Sequence, residues 1–167
     1  MSLTTKEHKK KSSKNVNCGI ITLSDSRTEI SEDKSGNYIS ELIENKYNLV
    51  YRSLIRDEED GLIKSIEEAI AKNTNVIFTN GGTGLDKRDI TVETVESLFE
   101  KKLDGFGEIF RMKSYEEIGA SAILSRATAG VYKKTLIFSM PGSPNAVKTA
   151  MNIIIDEIPH LVHHASK

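Results

Sequence analysis

The chain has 167 residues, 28% of them charged, and a formal net charge of −1; this is enough for one domain with a full core, with no global field to recruit nucleic acid or an anionic membrane. No apolar run reaches the roughly 20 residues of a spanning helix and the N-terminus has no apolar signal core, so a cytoplasmic protein without membrane or nucleic-acid partners is expected. The single cysteine, Cys18, rules out an internal disulfide and sits in an apolar run that predicts a buried, unreactive thiol.

Residues 1–15 read as a flexible basic tail, with Lys6, Lys9, Lys10, Lys11 and Lys14 against Glu7 alone, and residues 16–167 as a single domain. The tail carries no aromatic or Arg that would make it a nucleic-acid arm. Residues 19–23 are dense in β-branched side chains and predict a buried strand, after which Tyr38, Ile39, Leu42, Ile43 and Tyr47 recur at helical spacing. The same pairing returns as a strand over 49–55 followed by Leu62, Ile63, Ile66, Ala69 and Ile70 on one helical face. A third strand is expected over 75–79, followed by a helix carrying Val92, Val95, Leu98 and Phe99 with Thr91 as its cap. Such repeated strand-helix units predict a parallel sheet covered by helices on both faces.

The second half is less regular. Residues 105–118 predict a core-packing helix, and 127–132 and 135–140 a β-hairpin around Lys133-Lys134. Ser143-Pro144 opens a final helix through Val147, Met151, Ile154 and Ile155, which Pro159 bends or ends before the C-terminal tail. The expected fold is a three-layer α/β/α sandwich with a mostly parallel sheet plus a hairpin.

In such a sheet ligands bind beyond the carboxyl ends of the strands, where helix N-termini point outward. Those ends are followed by Ser24-Asp25-Ser26-Arg27, Arg56-Asp57, Asn80-Gly81-Gly82-Thr83-Gly84 and Pro141-Gly142-Ser143-Pro144. Glycines in the third loop let the backbone approach a phosphate and turn N–H groups toward it, although neither the Walker nor the GxGxxG spacing is present. Ser143 at a helix start offers a second anion seat. Asp57, Asp86 and Asp89 would repel phosphate unless a cation intervened, which suits magnesium with its preference for one or two carboxylates plus phosphate oxygens. His8, His160, His163 and His164 fall in the two tails without zinc spacing, and no Ser-His or Cys-His pair suggests covalent catalysis.

The stretches Asn80-Gly-Gly-Thr-Gly-Leu85, Arg88-Asp89-Ile-Thr91, Gly105-Phe-Gly-Glu-Ile-Phe-Arg111, Glu117-Ile-Gly119, Ser125-Arg126-Ala127 and Met140-Pro-Gly-Ser143 resemble the MoaB/Mog molybdenum-cofactor family, and its MoaB branch in particular. The resemblance spans residues 16–158 in the same order. It implies a three-layer α/β fold, binding of molybdopterin and Mg-ATP, and transfer of AMP to the pterin's terminal phosphate with release of pyrophosphate. It also implies a homo-oligomer, a trimer or hexamer, and a separate partner inserting molybdenum or tungsten. Asp57 and Asp89 match the family's essential acidic positions and are the expected catalytic and metal-binding residues. Gly81, Gly82, Thr83 and Gly84 match the phosphate cradle, and Ser125, Arg126, Pro141, Gly142 and Ser143 the pterin and phosphate surroundings. Ser24, Asp25, Ser35 and Gly36 are expected to line the mouth. Asn80 stands where the family usually has Thr, a change that could retune ligand contacts, and Val92 where it commonly has Pro. The alternative function is a non-catalytic pterin-binding or scaffold protein of the same pathway; retention of both Asp57 and Asp89 favours the enzyme.

Overall fold

Runs of Ile, Val, Phe and Leu too short for helices, alternating with amphipathic stretches, can bury themselves only by building a sheet with a helical layer on each side. The computed structural model describes residues 16–167. The expected basic tail and His8 lie outside the described residues. Six strands form one sheet: β1 (Asn17–Leu23), β2 (Asn48–Ile55), β3 (Val76–Asn80), β4 (Lys101–Lys102), β5 (Thr128–Tyr132) and β6 (Thr135–Met140). Their order is β2-β1-β3-β6-β5-β4. The strands β2, β1, β3 and β6 run parallel, while β5 and β4 are antiparallel additions at one edge.

The helices are α1 (Lys34–Glu44), α2 (Glu59–Ala71), α3 (Thr91–Leu98), α4 (Asp104–Ile118), α5 (Pro144–Ile154) and α6 (Ile158–Ala165). Alternation along the strands sorts them into two layers. Cys18, Ile20, Val76, Phe78, Leu136 and Phe138 face α1, α4, α5 and α6 through Ile39, Ile43, Phe106, Phe110, Val147, Met151 and Ile158. Ile21, Leu23, Ile77 and Ile137 face α2 and α3 through Leu62, Ile66, Ala69 and Val95. The expected three-layer sandwich, the strand-helix units and the hairpin are all present. Cys18 is buried in β1, which pushes its thiol up to about 12.

Three local expectations need correction. Thr91 does not cap α3: the N-cap is Ile90 and Thr91 is the first helical residue, with its hydroxyl turned to the glycine loop. The helix over 105–118 is present as α4, but Ile109, Met112, Tyr115 and Ile118 are exposed, so only the stripe of Phe106, Phe110 and Ser114 packs inward. Pro159 does not lead into a tail, because α5 ends at Ile154 and Pro159 sits in the first turn of α6, where its missing N–H is harmless. The three C-terminal histidines are therefore helical; His160 and His164 have ring centroids 4.7 Å apart. Finally, β4 is two lysines long and carries no periodicity from which it could have been read.

The hairpin turns on two left-handed residues, Lys133 (φ 47°) and Lys134 (φ 62°), as a type I′ turn requires. Lysine is a costly choice there, and ion pairing of Lys133 Nζ with Glu67 at 2.8 Å offsets part of the cost.

Candidate active site

The strand order changes direction between β1 and β3, and this is where an open α/β sheet leaves a crevice at its carboxyl edge. The glycine loop leaves β3 into that crevice. Gly81 (φ 95°) and Gly82 (φ 62°) adopt left-handed backbone, and a Cβ on Gly81 would overlap the Leu23 carbonyl at the end of β1. Only glycine lets the chain turn this close to its neighbour. Gly81 N donates to Met140 O at 3.2 Å, tying the loop to the end of β6.

The loop forms one wall of a cleft of about 420 Å³, lined by Gly81, Gly82, Thr83, Gly84 and Asp89 on that side. The turn Pro141-Gly142-Ser143, with Ala146, forms a second wall. Ser143 caps α5 by accepting from Ala146 N at 3.3 Å, which places the positive end of the α5 dipole beside the cleft. The third wall holds the expected Ser125 together with residues missed from sequence: Phe110, Ser114 and Ile118 of α4, and Ser121, Ala122 and Leu124 from a 3-10 turn over Gly119–Leu124. Phe110 and Ile118 lie eight residues apart on one helical face, a period indistinguishable in sequence from core packing.

The acidic residues gather beside this cradle. A Cβ on Gly82 would lie 2.6 Å from Asp57 Oδ1 and 2.5 Å from Thr91 Oγ1, so the Asp57 carboxylate sits directly against the loop. Asp57 Oδ1 is buried without a hydrogen-bond partner. Burial raises the Asp57 pKa above the usual carboxylate range, and the negative charges of Asp25 and Asp89 add to the rise. Asp89 accepts from Asp86 N at 3.0 Å through Oδ2 and lines the cleft. An orphaned, buried carboxylate oxygen destabilised by neighbouring negative charge fits a cation better than it fits the bare protein. Among the described residues no group of three or more His, Cys, Asp or Glu is arranged to hold a metal by itself.

Other expected residues serve as scaffolding. Asp25 receives both Nε and Nη2 of Arg88, at 2.9 and 2.8 Å, and that hydrogen bonding lowers its pKa. It also accepts from Asp57 N at 3.2 Å, joining the ends of β1 and β2 to the 86–89 segment. Ser24 is held locally, its hydroxyl accepting from Arg27 N at 3.2 Å. Ser35 does not line the mouth: it is buried and donates to Gly142 O at 2.8 Å, bracing the second wall. Gly36 is likewise inside, its N–H donating to Asp33 Oδ1 at 2.9 Å. Arg126 lies behind the glycine loop, donating through Nε to Thr83 O at 3.1 Å and through Nη2 to Gly84 O at 2.7 Å, and pairing with Glu93. Asn80 is fully buried and donates to Thr22 Oγ1 at 2.9 Å, which in turn donates to Asp33 Oδ2 at 2.5 Å. Its amide therefore belongs to the sheet's interior network.

Comparison with known proteins agrees with this geometry. The profile of the family described as "Probable molybdopterin binding domain" matches residues 19–160. The chain is 46% identical to "Molybdenum cofactor biosynthesis protein B" of Bacillus subtilis, covering 99% of both chains. It is 43% identical to "Molybdopterin adenylyltransferase" of Pyrococcus furiosus, covering 95% of this chain and 96% of that one. Among solved structures it resembles the tungsten cofactor synthesizing protein MoaB from Pyrococcus furiosus with a TM-score of 0.86 at 41% identity, over 92% of this chain and 99% of that one. The matched segment includes the sheet and every wall of the cleft, and the chain belongs to the MoaB/Mog family of molybdenum-cofactor biosynthesis proteins.

Proposed function

We propose that this protein is a molybdopterin adenylyltransferase that transfers AMP from ATP to the terminal phosphate of molybdopterin. The observation that carries the reading is the cleft itself: a left-handed glycine loop and a helix N-terminus face one cavity, with the orphaned carboxylate oxygen of Asp57 against the loop. The naming of the Pyrococcus furiosus relative supports it.

In this reaction an oxygen of the pterin phosphate attacks the α-phosphorus of ATP. The bond between α-phosphorus and its bridging oxygen to the β-phosphate breaks, and pyrophosphate leaves with the electron pair. The phosphate monoester is already ionised at neutral pH, so no general base is needed to create the nucleophile, and the protein's work is placement and charge stabilisation. The N–H groups of the loop bind phosphate oxygens, and the N-terminal end of α5 adds its positive dipole. Phe110 and Ile118, with Ala122 and Leu124, give the cleft an apolar side that suits a planar pterin. Asp57 and Asp89 would hold magnesium, which when bound supplies Lewis acidity and neutralises phosphate charge.

The exposed Met112, Tyr115 and Ile123 support homo-oligomerisation, since large exposed apolar side chains gain by being covered. Sedimentation would register a trimer or hexamer. No helix among the described residues is long and apolar enough to cross a membrane. The deciding experiment incubates the protein with molybdopterin, ATP and magnesium and measures adenylylated pterin and pyrophosphate. Stoichiometric pterin binding without pyrophosphate release would reduce the protein to a carrier.

A further inference from the structure

In a trans peptide unit the carbonyl and the following N–H lie in one plane and point in opposite directions. Whatever ties the carbonyl therefore aims the next N–H the other way. In the glycine loop successive carbonyls are tied from behind: Gly81 O accepts from Thr91 Oγ1 at 2.9 Å and Gly82 O from Thr91 N at 3.0 Å. Thr83 O accepts from Arg126 Nε at 3.1 Å and Gly84 O from Arg126 Nη2 at 2.7 Å. Among the described residues no hydrogen bond engages the N–H groups of Gly82, Thr83 or Gly84, and these residues line the cleft.

We infer that Arg126, anchored by Glu93, is a positioning residue that holds the peptide planes of the glycine loop with their N–H groups toward the phosphate, rather than a ligand of the phosphate. The inference rests on the cradle reading above. Thr91 performs the same task for the first half of the loop. The guanidinium has five N–H donors. Its Nε serves Thr83 O, its Nη2 serves Gly84 O, Asp89 O and Glu93 Oε2, and its Nη1 serves Glu93 Oε1, so at most one donor is left for anything else. The planar fork serves two neighbouring carbonyls in one fixed geometry, whereas a lysine ammonium is a point charge on a flexible stem without that preorganisation. Arg126 is absent from the cleft's walls, and the Glu93 pKa is lowered by the hydrogen bond from Arg126.

The two roles predict opposite signs for Glu93→Gln. If Arg126 touched phosphate, removing the competing carboxylate would free the guanidinium and tighten anion binding. With Arg126 as a clamp, losing its anchor lets the loop planes rotate, and molybdopterin binding weakens. Calorimetry of the full chain with molybdopterin at fixed ionic strength is the assay, with 15N–1H spectra reporting the Gly82 and Gly84 amides. The expected result is a weakening on the order of tenfold for Glu93→Gln and up to a hundredfold for Arg126→Lys, the value of one or two charge-assisted hydrogen bonds. The glycine amides should shift or broaden while the sheet resonances stay put. Tighter or unchanged binding in Glu93→Gln, or wild-type affinity in Arg126→Lys, overturns the clamp. A wild-type protein that does not bind molybdopterin sinks the cradle reading and the clamp with it. Glu93 is largely exposed, so its variant folds even if Arg126→Lys does not.

Discussion

Gly82 is the position where backbone, cradle and candidate metal site meet, and Gly82→Ala probes all three with a single methyl group. The backbone there has φ 62°, and a residue with a Cβ pays about 1–2 kcal/mol to hold that conformation. The new Cβ would also lie 2.5 Å from Thr91 Oγ1 and 2.6 Å from Asp57 Oδ1. Both neighbours are short side chains with little room to retreat, and relieving such an overlap costs roughly 1–3 kcal/mol. The sum is a loss of about 2–5 kcal/mol, a large part of a typical domain's stability of roughly 5–15 kcal/mol. Urea unfolding at matched protein concentration would read it as a lower midpoint with unchanged slope. Binding should fall as well, because one displaced atom belongs to the Gly81 carbonyl anchor and the other to the carboxylate beside the cradle. Gly61→Ala is the control: it sits inside α2 with its nearest neighbour 4.0 Å away and should gain roughly 0.5–1 kcal/mol. A Gly82→Ala protein within about 0.5 kcal/mol of wild type that binds molybdopterin normally would refute the reasoning about both strain and cradle.

Asp89→Asn keeps an acceptor for Asp86 N but removes the charge; turnover should fall by on the order of a hundredfold while molybdopterin affinity holds, measured side by side, and parallel loss of binding would place Asp89 in the pterin pocket instead. Asp57 ionises less readily in the fold than in the unfolded chain. That carries a stability cost absent below the ordinary carboxylate value of 3.8 and fully present once the pH has risen above the folded value. Asp57→Asn should therefore melt higher than wild type near pH 7, match it near pH 3, and lose adenylylation; a lower melting temperature at pH 7 would mean that the carboxylate is stabilising. Deletion of residues 1–13 should leave turnover intact, and a loss of activity at unchanged oligomer size would make that segment part of the site.

How much was legible in the sequence follows from the range of each interaction. Periodicity is local, so the repeated strand-helix units, the hairpin at Lys133-Lys134 and the helix after Ser143 could be read from neighbours in the chain. The glycine loop was also readable, because left-handed backbone costs least with glycine, as at Gly81 and Gly82. Tertiary structure alone decided which face of α4 is buried, since Ile109, Met112 and Tyr115 have the same composition as a core stripe yet point to solvent. It alone brought Phe110, Ser114 and Ile118 to the cleft opposite residues 81–84, as no local pattern encodes a contact across some 30 positions of chain. It also reassigned polar residues that sequence could only place near the site. Thr91 was read as a helix cap and Arg126 as a ligand neighbour, but both turn their donors to the carbonyls of the loop. A side chain's hydrogen-bonding partner is set by what the fold places within about 3 Å of it, and for these two residues that partner is the backbone of the loop itself.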